Sequence, residues 1–265
     1  MQLTVLGCQA GVPRHGRASS GYLVADADVS VLLDCGPGVA AALSGLHVRP
    51  DAVVVTHLHL DHCHDLLPLA KQLITERLAA GVSTAGPPVP LLVPRGAAEV
   101  LDTWSGLFPV PTMPLLDRAF DHAFAVREYT PGDTLRVGEL DVTLHEVAHA
   151  VPACGVRVDG PRASLAYTGD TGVCAGLEHL ARDVDLLLAE ATLAAPDTGT
   201  HGHLCAADAA RAATAAGAGQ LVLTHLPDGD DATAAMRLAA ASELFPGPVH
   251  VAVPGATHHS TIGTR

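Results

Sequence analysis

Aromatic residues are scarce, at 3% of the chain. The core must therefore be aliphatic, and few rings are available to stack exposed bases. Lysine occurs once, as Lys71, and the 15 basic residues face 28 acidic ones, a formal net charge of −13. Such a surface repels a phosphate backbone unless bound metal reverses the sign locally, so long nucleic acid is a disfavoured partner. No run approaches the roughly 18 consecutive apolar residues of a membrane span, and no membrane partner is expected. The opening residues carry neither a basic n-region nor a cleavage site, which makes a cytoplasmic location the expectation. The six cysteines (8, 35, 63, 154, 174 and 205) form no CxxC pair, which favours reduced thiols. Neither an internal repeat nor a low-complexity linker is visible.

What remains is apolar patterning and histidine. The hydrophobic fraction of 48% over 265 residues is ample for one large α/β domain or two small ones. Short apolar runs between glycine turns predict strands at 3–7, 21–25 and 29–34. The run 51–56, DAVVVT, reads as a strand buried on both faces. Helices are expected at 39–46, 66–80, 97–107, 206–216 and 232–244, and further strands at 90–94, 123–129, 134–137, 140–146, 155–158, 164–168, 186–190, 220–224 and 249–253. Strands lead each half and helices follow, which points to two packed sheets with helices outside.

There are 16 histidines, and they cluster. In THLHLDHCHD (56–65), His57, His59, Asp61 and His62 crowd a loop directly after the buried strand. Imidazole and carboxylate are donors that zinc prefers. A tight loop turns alternate residues inward, so His57 and His59 can face one ion while Asp61 and His62 turn to a second. His145–His149 reads HExxH, a signature that needs a helix. This stretch is β-branched and closed by Pro152, and in a strand the two histidines would stand about 13 Å apart, too far to share an ion.

The spacing HxHxDH resembles the metallo-β-lactamase superfamily, and the resemblance runs in order along nearly the whole chain. It implies an αββα sandwich of two mixed β-sheets, as one domain over 1–265. Within it, residues 81–114, with Trp104, Phe108 and Met113, read as an insert that is an apolar lid, ordinary packing or an oligomer surface. It implies two divalent metal ions, zinc first, with manganese or iron able to use the same donors. His57, His59 and His149 would hold one ion, and Asp61, His62 and His225 the other. Asp170, between Gly169 and Thr171, would bridge them. Asp34 in VLLDCGPG matches an aspartate that supports the metal loop; a turn-starting aspartate reads equally well.

The opening LGCQAGVPRHGRASSGYLV is similar to the RNase Z and cyclic-nucleotide phosphodiesterase branch, with Arg17, Ser19 and Ser20 at the matching places of a substrate loop. Glu190-Ala191-Thr192 followed by His203 resembles that branch's proton-donating pair, with His201 as fallback. The implied reaction is hydrolysis of a small phosphodiester, such as a 3′,5′-cyclic nucleotide, by a hydroxide shared between the ions. His203 would protonate the leaving oxygen and Asp61 would orient the nucleophile. True tRNA-processing members carry a long arm where this chain has only AVPACGVRVDGPRASLAYTG between His149 and Asp170. Three alternatives stay open: hydrolysis of a carbon ester, lactone, thioester or amide; an RNase Z-type tRNA 3′-endonuclease; and a non-catalytic metal-binding protein. The expected partners are a small anionic substrate and a second copy in a homodimer.

Overall fold

The computed structural model describes residues 1–79, 87–197 and 201–260. In the first half the order is β1 (Gln2–Gly7), β2 (Gly21–Asp26), β3 (Val29–Leu33), α1 (Val39–Ser44), β4 (Ala52–Val54), α2 (Leu60–Cys63), α3 (Leu66–Ala79), β5 (Val89–Pro94), α4 (Ala97–Gly106), α5 (Ala119–Ala123) and β6 (Phe124–Tyr129). The second half runs β7 (Thr134–Val137), β8 (Leu140–Glu146), β9 (Cys154–Asp159), β10 (Ser164–Tyr167), α6 (Ala175–Ala181), β11 (Leu186–Glu190), α7 (Ala206–Ala216), β12 (Leu221–Thr224), α8 (Asp231–Ser242), β13 (Val249–Val251) and β14 (Thr257–His259).

Among the described residues the strands form two seven-stranded sheets, ordered β14-β1-β2-β3-β4-β5-β6 and β13-β12-β11-β10-β9-β8-β7. Each is mixed in the same way. Strands β3 to β6 are mutually parallel, as are β10 to β13, while the remaining neighbours pair antiparallel. Alternation places Val5, Val24, Val31, Leu33 and Val54 of one sheet against Val142, Val156, Val158, Leu186 and Leu188 of the other, in the central apolar layer. The outer face of the first sheet, with Leu32, Val53 and Leu91, is covered by Leu43, Leu66, Leu69 and Leu101 from the helices. That of the second is covered by Leu177 and Leu180 and by the alanines of α7. Alanine suits α7 because short side chains let the helix approach the sheet closely. Cys205 and Asp208 form a capping box at its start, and Gly217, at φ 71°, ends it. The layers are thus helix, sheet, sheet, helix, as expected.

Four short helical elements escaped the sequence pattern: α2, α5, α6 and a 3-10 turn at Pro114–Arg118. All are under two turns, shorter than a periodicity needs to declare itself. Strand β14 was also missed. It returns from the second half to pair with β1, Gln2 opposite His259, and closes the first sheet. Of the expected insert 81–114, residues 81–86 lie outside the described residues. Of the alternatives for that segment, strand β5 takes the packing one: it is an internal strand between β4 and β6, with Leu91 and Val93 fully buried. This part belongs to the sheet and cannot act as a lid.

Candidate metal centre

The chemistry-bearing side chains come from strand ends and the loops that follow them. Asp34 follows β3, the 56–65 loop follows β4, His149 follows β8, Asp170 follows β10, Glu190 ends β11 and His225 follows β12. Asp34 and His225 are non-glycine residues in the left-handed region, at φ 60° and 57°. That conformation turns the chain sharply at the strand end, and packing on every side must hold it there. Both side chains are buried.

Two groups of donors carry the expected ligands. His57, His59, His149 and Asp170 form one, and Asp61, His62 and His225 the other; a third, Asp170, His203 and His225, overlaps them, and each offers atoms within 4.8 Å of one another. In the first, His57 Nε2 lies 3.0 Å from His59 Nδ1, which is 3.3 Å from His149 Nε2. In the second, His62 Nε2 and His225 Nε2 are 3.3 Å apart, and Asp61 Oδ2 is 3.2 Å from His225 Nε2. Asp170 stands between them. Its Oδ1 is 3.3 Å from His62 Nε2 and 3.5 Å from His225 Nε2, and its Oδ2 is 3.8 Å from His57 Nε2. Burial alone would raise the Asp170 carboxyl, but the neighbouring His225 and His62 hold it well below the usual carboxylate range. Burial and the surrounding histidines hold the His57 pKa well below the usual imidazole value, which favours the neutral form that can ligate.

These donors fit a divalent cation. Asp170 Oδ1 is buried and accepts no hydrogen bond, a costly state for a carboxylate without a partner. A tetrahedral ion with metal–nitrogen bonds of about 2.0–2.1 Å requires nitrogens about 3.3 Å apart, close to the spacings found. The surroundings also aim the lone pairs inward. Asp34 Oδ2 accepts from His62 Nδ1 at 2.7 Å, and the Gly202 carbonyl accepts from His149 Nδ1 at 2.9 Å. In the neutral ring each bond leaves the Nε2 lone pair free and facing the cluster.

A family model described as a β-lactamase superfamily domain matches residues 30–226. The chain belongs to this superfamily. The probable metallo-hydrolase YhfI of Bacillus subtilis is 32% identical over 232 residues, covering 86% of this chain and 87% of its own length. The crystal structure of that metallo-β-lactamase fold protein superposes with a TM-score of 0.82 at 27% identity, covering 97% of this chain and 98% of the other. Ribonuclease Z of a Bradyrhizobium species is 32% identical over 271 residues, covering 85% of this chain and 89% of its own. The short form of human tRNase Z shares the fold, with a TM-score of 0.73 at 24% identity and 99% and 100% coverage. The protein is accordingly a metallo-hydrolase of the β-lactamase superfamily.

Within this superfamily fold, Glu190 is fully buried and receives four hydrogen bonds. Oε1 accepts from Thr171 N and His203 Nδ1, both at 2.9 Å; Oε2 accepts from Thr192 N at 3.2 Å and Thr192 Oγ1 at 2.6 Å. His203 stands beside the cluster, its ring 5.2 Å from that of His149. Burial disfavours its charge, but the hydrogen bond and negative charge of Glu190 outweigh it and raise its pKa. His201 points to solvent, its side chain 75% exposed and 3.8 Å from Asp197, so of the two candidates His203 is the one the fold brings to the site.

The residues of the expected substrate loop take different places. Ser19 and Ser20 are fully buried, and their hydroxyls have no hydrogen-bond partner among the described residues. Their backbones brace the site: Ser20 N donates to Asp61 O, and Ser19 N to Pro37 O. Arg17 lies 3.8 Å from Asp231 and lines a groove with Pro13, Gly38 and Pro254. Gly11 is the member of this loop that reaches the cluster, donating its N–H to Asp61 Oδ2 at 2.7 Å. HExxH is indeed a strand ending: His145 and Glu146 close β8, and His145 joins neither donor group. Thr56, Tyr167 and Thr192 were overlooked as supports. Tyr167 Oη donates to Asp34 Oδ2 at 2.9 Å. In the chain, Thr56 stands beside His57 and Thr192 ends the Glu190-Ala191-Thr192 motif, and neither place says what the hydroxyl meets.

Proposed function

We propose that the protein hydrolyses a small anionic phosphodiester, of which a 3′,5′-cyclic nucleotide is one case, using two divalent cations. His57, His59 and His149 would hold one, Asp61, His62 and His225 the other, and Asp170 would contact both. When bound, the cations supply a water of lowered pKa and offset phosphoryl charge. The chain's own contribution is acid catalysis and positioning. His203, oriented through Nδ1 by Glu190, has Nε2 free to deliver a proton to the departing alkoxide. Asp61, held by the Gly11 N–H, orients the attacking water. The observation that carries this reading is the 2.9 Å bond between His203 and a buried carboxylate, next to the donor cluster. An acid there suits a poor leaving group such as an alkoxide.

The phosphodiester is favoured over an acyl bond because relatives named ribonuclease Z cover most of the chain at 32% identity, and a ribonuclease cuts phosphodiesters. A folded RNA is disfavoured by the net charge of −13. It is also disfavoured by the tight connection between β9 and β10, residues 160–163, which leaves no arm there. Protein loaded with zinc or manganese should turn over bis-p-nitrophenyl phosphate and a 3′,5′-cyclic nucleotide. No turnover of either would overturn the proposal.

A second reading draws on an apolar groove of about 480 Å³ lined by Leu58, Leu60, Val100, Trp104 and Leu107. It starts on the two leucines interleaved with His57, His59 and Asp61, and would suit the apolar part of a carbon ester or thioester. Faster turnover of acyl esters than of phosphodiesters would select it.

A further inference from the structure

The proposed ligand histidines are not all held by direct bonds to fixed acceptors. His62 and His149 are, through Asp34 and the Gly202 carbonyl. His57 and His225 each meet a threonine hydroxyl, which can both donate and accept, so by itself it leaves the ring tautomer open.

What lies behind each hydroxyl removes the ambiguity. Thr56 Oγ1 is 2.9 Å from Asp34 Oδ2 and 3.0 Å from His57 Nδ1. A carboxylate only accepts, so the single hydroxyl proton goes to Asp34. Thr56 must then accept from His57 Nδ1–H, which leaves the Nε2 lone pair facing His59 and Asp170. Thr192 repeats the arrangement in the other sheet. Its Oγ1 is 2.6 Å from Glu190 Oε2 and 2.8 Å from His225 Nδ1. Its other neighbour, the His225 carbonyl at 3.1 Å, is also an acceptor only. Whichever oxygen takes the proton, Thr192 accepts from His225 Nδ1–H, and the Nε2 lone pair faces Asp61 and His62. Thr56 and His57 are fully buried, so water cannot substitute for the missing partner.

We propose that Thr56 and Thr192 are positioning residues, one for each half of the centre, that set the tautomer of His57 and His225 by passing on the acceptor character of Asp34 and Glu190. The inference rests on the two-cation reading above and not on any substrate. The wiring is separable. Thr56 serves only the group of His57, His59 and His149, and Thr192 only that of Asp61, His62 and His225. Asp34 serves both, holding His62 directly and His57 through Thr56.

The test has two parts. In metal-free protein, imidazole nitrogen NMR should show His57 and His225 protonated at Nδ1, and Thr56→Val and Thr192→Val should each shift only its own histidine toward the Nε2–H form. Zinc titration against a chromophoric chelator should then show one of two sites weakened roughly 10–100-fold in each valine variant, a different site in each, with Thr56→Ser and Thr192→Ser restoring wild-type affinity. Nε2–H tautomers in the wild-type protein, or valine variants that bind both ions normally, would overturn the proposal. A valine variant that does not fold leaves the decision to the wild-type spectrum. Wild-type protein that binds no divalent ion, yet shows the Nδ1–H tautomers, would sink the metal reading and leave the positioning role intact.

Discussion

Asp170 stands where the two donor groups meet, with one buried oxygen that accepts no hydrogen bond. Asp170→Ala should lose metal and activity together, measured by metal analysis and turnover on the same preparation. His203→Ala should behave differently. Its side chain faces the site but is not among the seven proposed ligands, so metal content should stay near wild type while kcat drops roughly 10²–10⁴-fold, the usual worth of a general acid. An unchanged kcat would refute the acid role. The pH profile tests Glu190. Its contact raises the His203 pKa, so the protonated acid persists above the ordinary histidine value of about 6.5, and activity falls as pH rises through the raised pKa. Removing the negative charge in Glu190→Gln should move that alkaline limb to lower pH. A limb that stays in place would show that another group sets it.

At the scale of elements, the metal loop is held by backbone as much as by side chains. Asp65 accepts from Gly38 N and Ala40 N at the start of α1, at 2.8 and 3.2 Å. Tyr129 Oη lies 2.8 Å from the carbonyls of both Val55 and Thr56, tying β6 to the loop's entry. The tightest approach is at Gly36, where an added Cβ would collide with the Asp61 carbonyl. That obstacle is backbone and cannot swing away. Gly36→Ala should therefore cost about 1–3 kcal/mol by overpacking, seen as a lower Tm, and should weaken metal binding because Asp61 moves with its carbonyl. A variant with wild-type Tm and metal affinity would show that the loop is softer than this geometry requires.

For the whole molecule, the centre joins the two sheets at one edge of the sandwich: the 56–65 loop comes from the first, and His149, Asp170 and His225 from the second. A cation bound there ties both sheets together. A cation that binds the folded chain alone adds about 2.7 kcal/mol of stability at 100 times its Kd. Chelation should lower Tm, and readdition should restore it in a concentration-dependent way. A Tm indifferent to chelator would argue against a cation that spans the interface. Among the described residues, no helix is long and apolar enough to cross a membrane.

Much of this was legible in order along the chain. The DAVVVT run, the HxHxDH spacing and the strand-ending Asp170 and His225 are local patterns, and strand burial with donor spacing is written in consecutive residues. The layer order followed from the same alternation. The burial of Ser19 and Ser20 was not legible, because a loop's sequence does not say which of its faces packs inward. The internal place of β5 was hidden because an apolar strand beside a proline-rich turn looks the same at an edge as at a centre. Only the fold brought Thr56 to Asp34 and Thr192 to Glu190 and His225. A threonine hydroxyl has no preferred partner until tertiary packing places an acceptor on one side of it and an imidazole on the other, and that arrangement is a property of two sheets meeting, not of any stretch of chain.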